Sequence, residues 1–245
     1  MSKKIVIKKG TEETLIQDDL AQELEIYLEP DSKLIFADLQ SLNAKNPESL
    51  NRRIQIEKGA TLTWIMEVHG GSVKNKIETF LNGEGAHAEI LGLMCGRNKD
   101  KIEIASHTQH NVPNTTANIL IKGTADDESQ TLFRGMIKIA KKAQQTNSYM
   151  ANNNLLLSKK ARADSIPKLE IEADDVKASH GATIGQVDKD QVFYLKTRGF
   201  SEKDAEQILI RGFYEDIFNR VPVEEIRERM RHNLGQKGEA DGISL

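Results

Sequence analysis

The fold is decided by residues 54–90, IQIEKGATLTWIMEVHGGSVKNKIETFLNGEGAHAEI, in which apolar and polar residues alternate between short turns. The runs Leu62–Val68 and Ile77–Leu81 place every second side chain on one face, which is the period of a β-strand. Glycine-containing turns separate the runs, at Lys58-Gly59, Gly70-Gly71 and 82–85. The stretch therefore predicts short strands joined by tight turns.

The same alternation continues along the chain as far as residue 171. It recurs at Ile102–Ile104, Ile119–Ile121, Met136–Ile139 and Leu169–Ile171. Such strands at fairly even spacing are typical of a sandwich, a barrel or a β-solenoid. A solenoid is favoured because its narrow core of Ile, Leu and Val suits an aromatic content of 5%. Residues 152–157 (NNNLLL) are then either a solenoid corner with stacked asparagines or a polar turn before a strand.

The spacing of apolar residues changes near residue 187, from alternation to steps of three and four. Asp188 caps a predicted helix that stops before Gly199, and Ser201 starts a second helix with one apolar face. Pro222 begins a third helix at a favoured first position. These helices are too few to build a deep core alone, so they must pack on the β region, on each other or on a partner. The expected divisions are an N-terminal segment over 1–50 leading into the β region, a β core over 51–187, a helical domain over 188–234 and a flexible tail over 235–245.

Composition argues against several classes of function. The 245 residues carry 34 basic and 37 acidic side chains, and the two signs are mixed, whereas nucleic-acid binding needs a concentrated basic face. No apolar run approaches the length of a membrane span or follows Met1 as a signal region, so we expect a cytoplasmic protein. No P-loop, nucleophile elbow, dinucleotide fingerprint or H-E-x-x-H motif occurs. We therefore expect that the chain is not an enzyme.

The candidate reactive residues are one cysteine and six histidines. Cys95 lies in an apolar stretch and is interpreted as a small buried hydrophobe, since a cluster ligand or sulfur carrier needs an accessible thiolate. His107 and His110, three residues apart on a strand, are expected on opposite faces, which argues against a shared metal site. His180 lies among small residues that leave room for a ligand or a second chain, but from these residues alone a hydrogen-bonded histidine at a domain junction is the favoured interpretation.

Longer motifs resemble those of the SufB/SufD family of iron–sulfur cluster assembly scaffolds. The C-terminal motifs are 178–185 (ASHGATIG), 193–199 (FYLKTRG) and 204–213 (DAEQILIRGF), and those upstream are 113–116 (PNTT), 122–123 (KG), 133–135 (FRG), 144–146 (QQT) and 153–158 (NNLLLS). The resemblance covers roughly residues 50–230. It implies a right-handed parallel β-helix, a small helical domain behind it and a non-catalytic scaffold role in building iron–sulfur clusters. It is closer to the SufD branch.

The resemblance carries over one candidate metal ligand, His180, which would bind iron or a cluster at a subunit interface. The SufB branch has a cysteine where this chain has Asn152, and a glutamate after the histidine where this chain has Gly181. The SufD branch has serine before the histidine and glycine after it, as here, and often a cysteine at the position of Ala178. The resemblance thus implies that this chain binds no cofactor stably alone and that a transient iron–sulfur cluster is held between subunits.

The resemblance also implies two protein partners, and it implies neither a nucleic acid nor a membrane. A SufC-type ATPase is expected on the C-terminal helices, with the contacts Tyr194, Arg198, Leu209, Arg211, Phe213 and Ile217. A SufB/SufD-type paralogue, or a second copy of this chain, is expected to pair with the β-helix. Family members commonly carry a further N-terminal region, most of which is missing here, so the choice between these two stays open.

Two other functions are consistent with parts of the sequence. A β-solenoid enzyme acting on polysaccharides needs clustered carboxylates and aromatic sugar platforms, and the sequence has one Trp. An adaptor that binds SufC without a direct role in cluster assembly shares the fold and the partner, so the sequence barely distinguishes it. A carbohydrate turnover assay distinguishes the polysaccharide enzyme from the scaffold, and cluster reconstitution distinguishes the adaptor from the scaffold.

Overall fold

The computed structural model describes residues 2–17, 21–41 and 48–239, which form a parallel β-solenoid followed by three helices. The strands are β1 (Ser2–Ile7), β2 (Glu12–Gln17), β3 (Glu23–Leu28), β4 (Lys33–Ser41), β5 (Glu48–Ile56), β6 (Thr61–His69), β7 (Ser72–Leu81), β8 (His87–Gly96), β9 (Lys101–His110), β10 (Thr116–Ala125), β11 (Gln130–Ile139), β12 (Thr146–Leu156), β13 (Arg162–Ile171) and β14 (Val176–Gln186). The helices are α1 (Lys189–Thr197), α2 (Glu202–Phe218) and α3 (Glu224–Glu239). The predicted fold class, a β-solenoid with a small helical region behind it, is confirmed.

The odd-numbered strands form one sheet and the even-numbered strands form the other. We call these the odd sheet, in the order β1-β3-β5-β7-β9-β11-β13, and the even sheet, in the order β14-β12-β10-β8-β6-β4-β2. Every neighbouring pair is parallel, so each coil of the chain supplies one strand to each sheet. The alternating sequence follows from this arrangement, because one face of each strand packs against the other sheet while the opposite face points outward.

The core lies between the two sheets and is built from side chains stacked in register. One ladder of the even sheet runs through Phe36, Trp64, Ile90, Ile119 and Met150, each paired with the next across neighbouring strands. All five are at most 1% exposed. Burial of one such side chain contributes about 1.5–3 kcal/mol. Because each coil adds another buried side chain, the stack gains the stability that a few large aromatic residues provide in the cores of other folds.

One corner of the solenoid repeats in backbone conformation although it does not repeat in sequence. Asp31, Gly59, Gly85, Asn114 and Gln145 stand at this corner in successive coils, with φ between 56° and 76°. The amide of each donates a hydrogen bond of 2.6–3.2 Å to a carbonyl in the turn of the next coil. Because glycine, asparagine and aspartate all reach this left-handed region, different residues satisfy the same turn, which is why no sequence motif marks it.

The β region differs from the sequence prediction in two places. The strands begin at Ser2, so the described part of residues 1–50 forms coils of the solenoid instead of leading into it. The asparagine stretch is neither a corner nor a turn, since Asn152 and Asn154 lie inside β12 and are at most 3% exposed. Asn152 donates to the Ile121 carbonyl at 3.2 Å and accepts from Asn154 at 2.7 Å, which offsets part of the cost of burying these amides.

The helices belong to a second compact unit, Asp188–Leu245, and the solenoid forms the first, Met1–Val187. Asp188 caps α1, its carboxylate accepting from the Asp190 amide at 2.8 Å. Ser201 caps α2, its hydroxyl accepting from the Asp204 amide at 3.1 Å. Both predicted caps are therefore confirmed, and each satisfies amides that the first turn of a helix leaves without a partner.

The third helix begins and ends later than predicted. It starts at Glu224, so Pro222 precedes it instead of forming its first residue. Proline lacks an N–H, so it fits at the first helical residue and also at the positions just before it. Its presence alone therefore does not set where the helix starts. The helix continues to Glu239, within the expected tail, and residues 240–245 lie outside the described part of the chain. No helix in the described ranges is both long and apolar enough to cross a bilayer.

Candidate functional site

The last coil of the solenoid presents two strand edges that no other strand covers within the described chain. β13 and β14 are the terminal strands of the odd and even sheets. One row of backbone N–H and C=O groups on each is therefore available for pairing with another chain. Four large apolar side chains on these strands or beside them are 38–46% exposed: Tyr149, Ile166, Ile171 and Ile184. An open edge flanked by apolar side chains is suited to strand addition by a partner.

His180 lies on β14, where the core ladder ends. It is in register with Met150, the last buried member of that ladder, and so occupies the inward-facing position of the final coil. Unlike Met150, it is exposed. Gly181 follows it, and a Cβ at that position would lie 3.1 Å from the Tyr149 hydroxyl. The structure thus places the predicted ligand at the open end of the solenoid, beside the unpaired edges.

The positions at which the two family branches differ lie next to His180. Asn152 is in register with Ala182, two residues beyond His180 on the same face of β14, so Asn152 and His180 are diagonal neighbours. Ala178, two residues before His180, packs partly buried against the core. Cysteines at the positions of Asn152 and Ala178 would stand beside the histidine. No three His, Cys, Asp or Glu side chains among the described residues are grouped to hold a metal ion.

The histidine pair on β9 is separated, as predicted. His107 and His110 occupy opposite faces of the strand, and His110 enters the core. Its ring nitrogens lie 2.8 Å from Thr115 Oγ1 and 3.2 Å from Ser148 Oγ. Burial lowers the pKa of His110 from 6.5 to about 4, so its ring is neutral at pH 7. His110 is therefore a hydrogen-bonded core residue.

The helical unit exposes a group of aromatic and apolar side chains. Phe193 and Tyr194 on α1 are 69% and 56% exposed, and Phe200 and Ile208 are 44% and 37% exposed. Arg198 covers one face of Tyr194, with its guanidinium carbon 5.1 Å from the ring centre and a hydrogen bond of 3.1 Å to the hydroxyl. Exposed aromatic residues with an arginine beside them have the composition of the centre of a protein interface.

The six predicted partner contacts on the helices differ in exposure. Three are exposed, two are half-buried and one is fully buried: Tyr194, Arg198 and Arg211; Leu209 and Phe213; and Ile217. Ile217 therefore packs inside the fold and does not face a partner. The prediction omitted Phe193, Phe200 and Ile208, because helical spacing alone does not distinguish an apolar side chain that is covered from one that remains outside.

Comparison with known proteins places this geometry in one family. Residues 4–213 match the family model described as SUF system FeS cluster assembly, SufBD core domain. The chain is 36% identical to iron–sulfur cluster assembly protein SufD of Escherichia coli over 169 residues, which are 69% of this chain and 40% of SufD. It is 34% identical over 188 residues to a SufBD family protein of Synechocystis, covering 77% of this chain and 39% of that protein. A SufBD family protein of Mycobacterium tuberculosis is 30% identical over 209 residues, covering 85% and 25% respectively. The chain thus spans less than half the length of these curated relatives.

Proposed function

Since the chain belongs to the SufBD family of the SUF system for iron–sulfur cluster assembly and is close to SufD, we propose that it is a scaffold subunit without catalytic activity of its own. The forming cluster is its cargo, held between the solenoid and a second subunit. The observation that carries this proposal is the open end of the solenoid, where His180 stands on the inward face beside two unpaired edges. Membership of an assembly family argues against the polysaccharide-active alternative.

The second subunit is proposed to be a SufB/SufD-type chain, either a paralogue or a copy of this one. Pairing at β13 and β14 satisfies the open backbone groups and covers exposed apolar side chains such as Tyr149 and Ile184. It also brings residues of that subunit within reach of His180. The imidazole of His180 then supplies one ligand to iron.

The partner of the helical unit is proposed to be a SufC-type ATPase. Support comes from the exposed group around Phe193 and Tyr194, which offers aromatic anchors and a neighbouring guanidinium, Arg198. The chain has no P-loop of its own, so the energy for any cycle comes from the partner. Closure of two ATPase subunits on ATP pulls on the helices and opens the scaffold interface near His180. ATP drives this change because it binds the closed ATPase pair better than the open one.

Co-expression with the ATPase and a SufB-type subunit of the same organism, followed by anaerobic reconstitution with iron and sulfide, tests the proposal. We expect a complex of all three chains with cluster absorbance, and we expect His180→Ala to lose the absorbance while keeping the complex. His87→Ala, on the outward face of β8, is the matched control. Unchanged absorbance in His180→Ala refutes the ligand role, and a complex that never carries a cluster indicates an adaptor. The cytoplasm remains the compartment that the sequence predicts.

A further inference from the structure

Polar and reactive side chains form a cluster on the outward face of the even sheet, remote in register from His180. Two neighbouring rows cross β6, β8 and β10, and they are Glu67–Leu93–Lys122 and His69–Cys95–Thr124. The five polar members are at most 8% exposed. Charged and nucleophilic groups are rarely buried together without a function or a compensating network.

Cys95 faces away from the core that its neighbours in sequence fill. Met94, the preceding residue, belongs to the buried cluster between the sheets, and strand alternation puts Cys95 on the opposite face. Cys95 is buried, as predicted, and it lies on the outward face of the even sheet. Its neighbours in register are His69 on one side and Thr124 on the other, each about 4.8 Å away across the sheet.

His69 is a buried imidazole held beside this thiol. Its Nε2 lies 2.7 Å from Glu67 Oε1, and its other polar neighbour is the Cys95 side chain. Although burial lowers the pKa of His69, interactions with Cys95 and Glu67 raise it to about 9, so the ring is protonated at pH 7. A buried cation needs anions around it, and a neighbouring cation is the environment in which a cysteine reacts as the thiolate.

Limited access decides which electrophile can reach the sulfur. Cys95 is 8% exposed, so an electrophile that reacts with it must be little larger than water. We propose that Cys95 is a modification site for hydrogen peroxide, with His69 as the proton donor and the Thr124 hydroxyl on the other side of the sulfur. Glu67 is a positioning residue, because its carboxylate holds the charged ring next to the thiol.

The proposed step oxidises Cys95 to a sulfenic acid. The thiolate attacks one peroxide oxygen, so the S–O bond forms while the O–O bond breaks. Sulfur gives up an electron pair and the peroxide is reduced. The proton on His69 passes to the departing hydroxide, which leaves as water, and the ring becomes neutral. The sequence has one cysteine, so no disulfide within the chain follows, and an external small thiol is needed to restore Cys95.

The test is sulfenic acid formation in the purified full chain. Reduced protein is treated with hydrogen peroxide for a set time, the peroxide is removed with catalase, and the protein is unfolded in urea that contains dimedone, so that the trap reaches the sulfur before the intact mass is measured. The matched control is Cys95→Ser combined with Ala151→Cys, because Ala151 is 5% exposed on the same face and its register partners are Leu120 and Gly181, not a histidine. We expect native Cys95 to be oxidised at least about tenfold faster than the control thiol, and His69→Gln to lose that advantage.

Three results would overturn the proposal. The first is a control thiol that reacts as fast as Cys95. The second is a folded His69→Gln protein that keeps the wild-type rate. The third is native Cys95 reacting no faster than the same cysteine in urea, because that result shows that the fold protects the thiol and does not activate it. This last comparison needs no variant, so it tests the proposal even if His69→Gln does not fold. None of these measurements involves the ATPase or a cluster, so they stand apart from the scaffold proposal.

Discussion

Lowering the pH from 7 to 5 is expected to remove the stability that one buried residue, His110, contributes to the solenoid. Burial holds the pKa of His110 at about 4 in the native protein, against 6.5 for an ordinary histidine. Between these two values the unfolded chain binds a proton at this position and the folded chain does not, so stability present above pH 6.5 is lost as pH falls toward 4. The full difference is worth about 3 kcal/mol, and about 2 kcal/mol of it is lost by pH 5.

Urea unfolding followed by the fluorescence of Trp64, the only tryptophan, reports on the unit that contains His110. His110→Gln is the control because glutamine keeps polar atoms near Thr115 and Ser148 but does not titrate. The free energy of unfolding of the wild type minus that of His110→Gln should fall by about 2 kcal/mol between pH 7 and pH 5. A difference that stays constant over this range would show that His110 is hydrated or already charged in the folded protein, and the reasoning would be wrong.

Three further outcomes are expected. Gly83→Ala should lower the free energy of unfolding by at least about 2 kcal/mol, because a Cβ there would lie 1.9 Å from a backbone nitrogen of the preceding coil; a cost near zero in urea unfolding contradicts the tight stacking of the turns. Asp38→Asn should cost about 3–5 kcal/mol, since it leaves the buried guanidinium of Arg52, now 3.0 Å from the carboxylate, without its counter-charge. The double variant with Arg52→Met should recover part of that loss, and equal stability of the single and double variants counts against a true ion pair. Phe193→Asp should weaken binding of a SufC-type ATPase by about tenfold or more, measured by calorimetry, whereas Gln191→Asp on the same helix should not; equal effects exclude Phe193 as an anchor.

Some parts of the site could be predicted from the sequence because they depend on neighbours along the chain. Asp188 and Ser201 were identified as helix caps from their own side chains and the residues just after them. The strand period around Trp64 and the opposite faces of His107 and His110 follow from alternation alone. The family motif around His180 also lies within one short stretch, so the candidate ligand was named before its surroundings were known.

Other parts could not be predicted because they depend on which residues meet across coils. Asn152 was expected at a turn, and the register of β12 places it inside the core instead. The apolar neighbours of Cys95 predict that it is buried, but only the pairing of β8 with β6 brings it beside His69. The exposure of a side chain likewise depends on the packing of many other residues. Phe193 and Ile217 have the same apolar character, yet Phe193 is open to solvent and Ile217 is fully buried.

Local periodicity and short-range motifs are enough to predict a solenoid of short alternating strands, helices that follow near residue 188, and the family motif. The register between coils, the depth of each polar side chain and the exposure of the terminal edges emerge only when the coils are packed together. Parallel neighbours are a full coil apart along the chain, so their pairing is set by the packing of all the coils together and not by any segment alone.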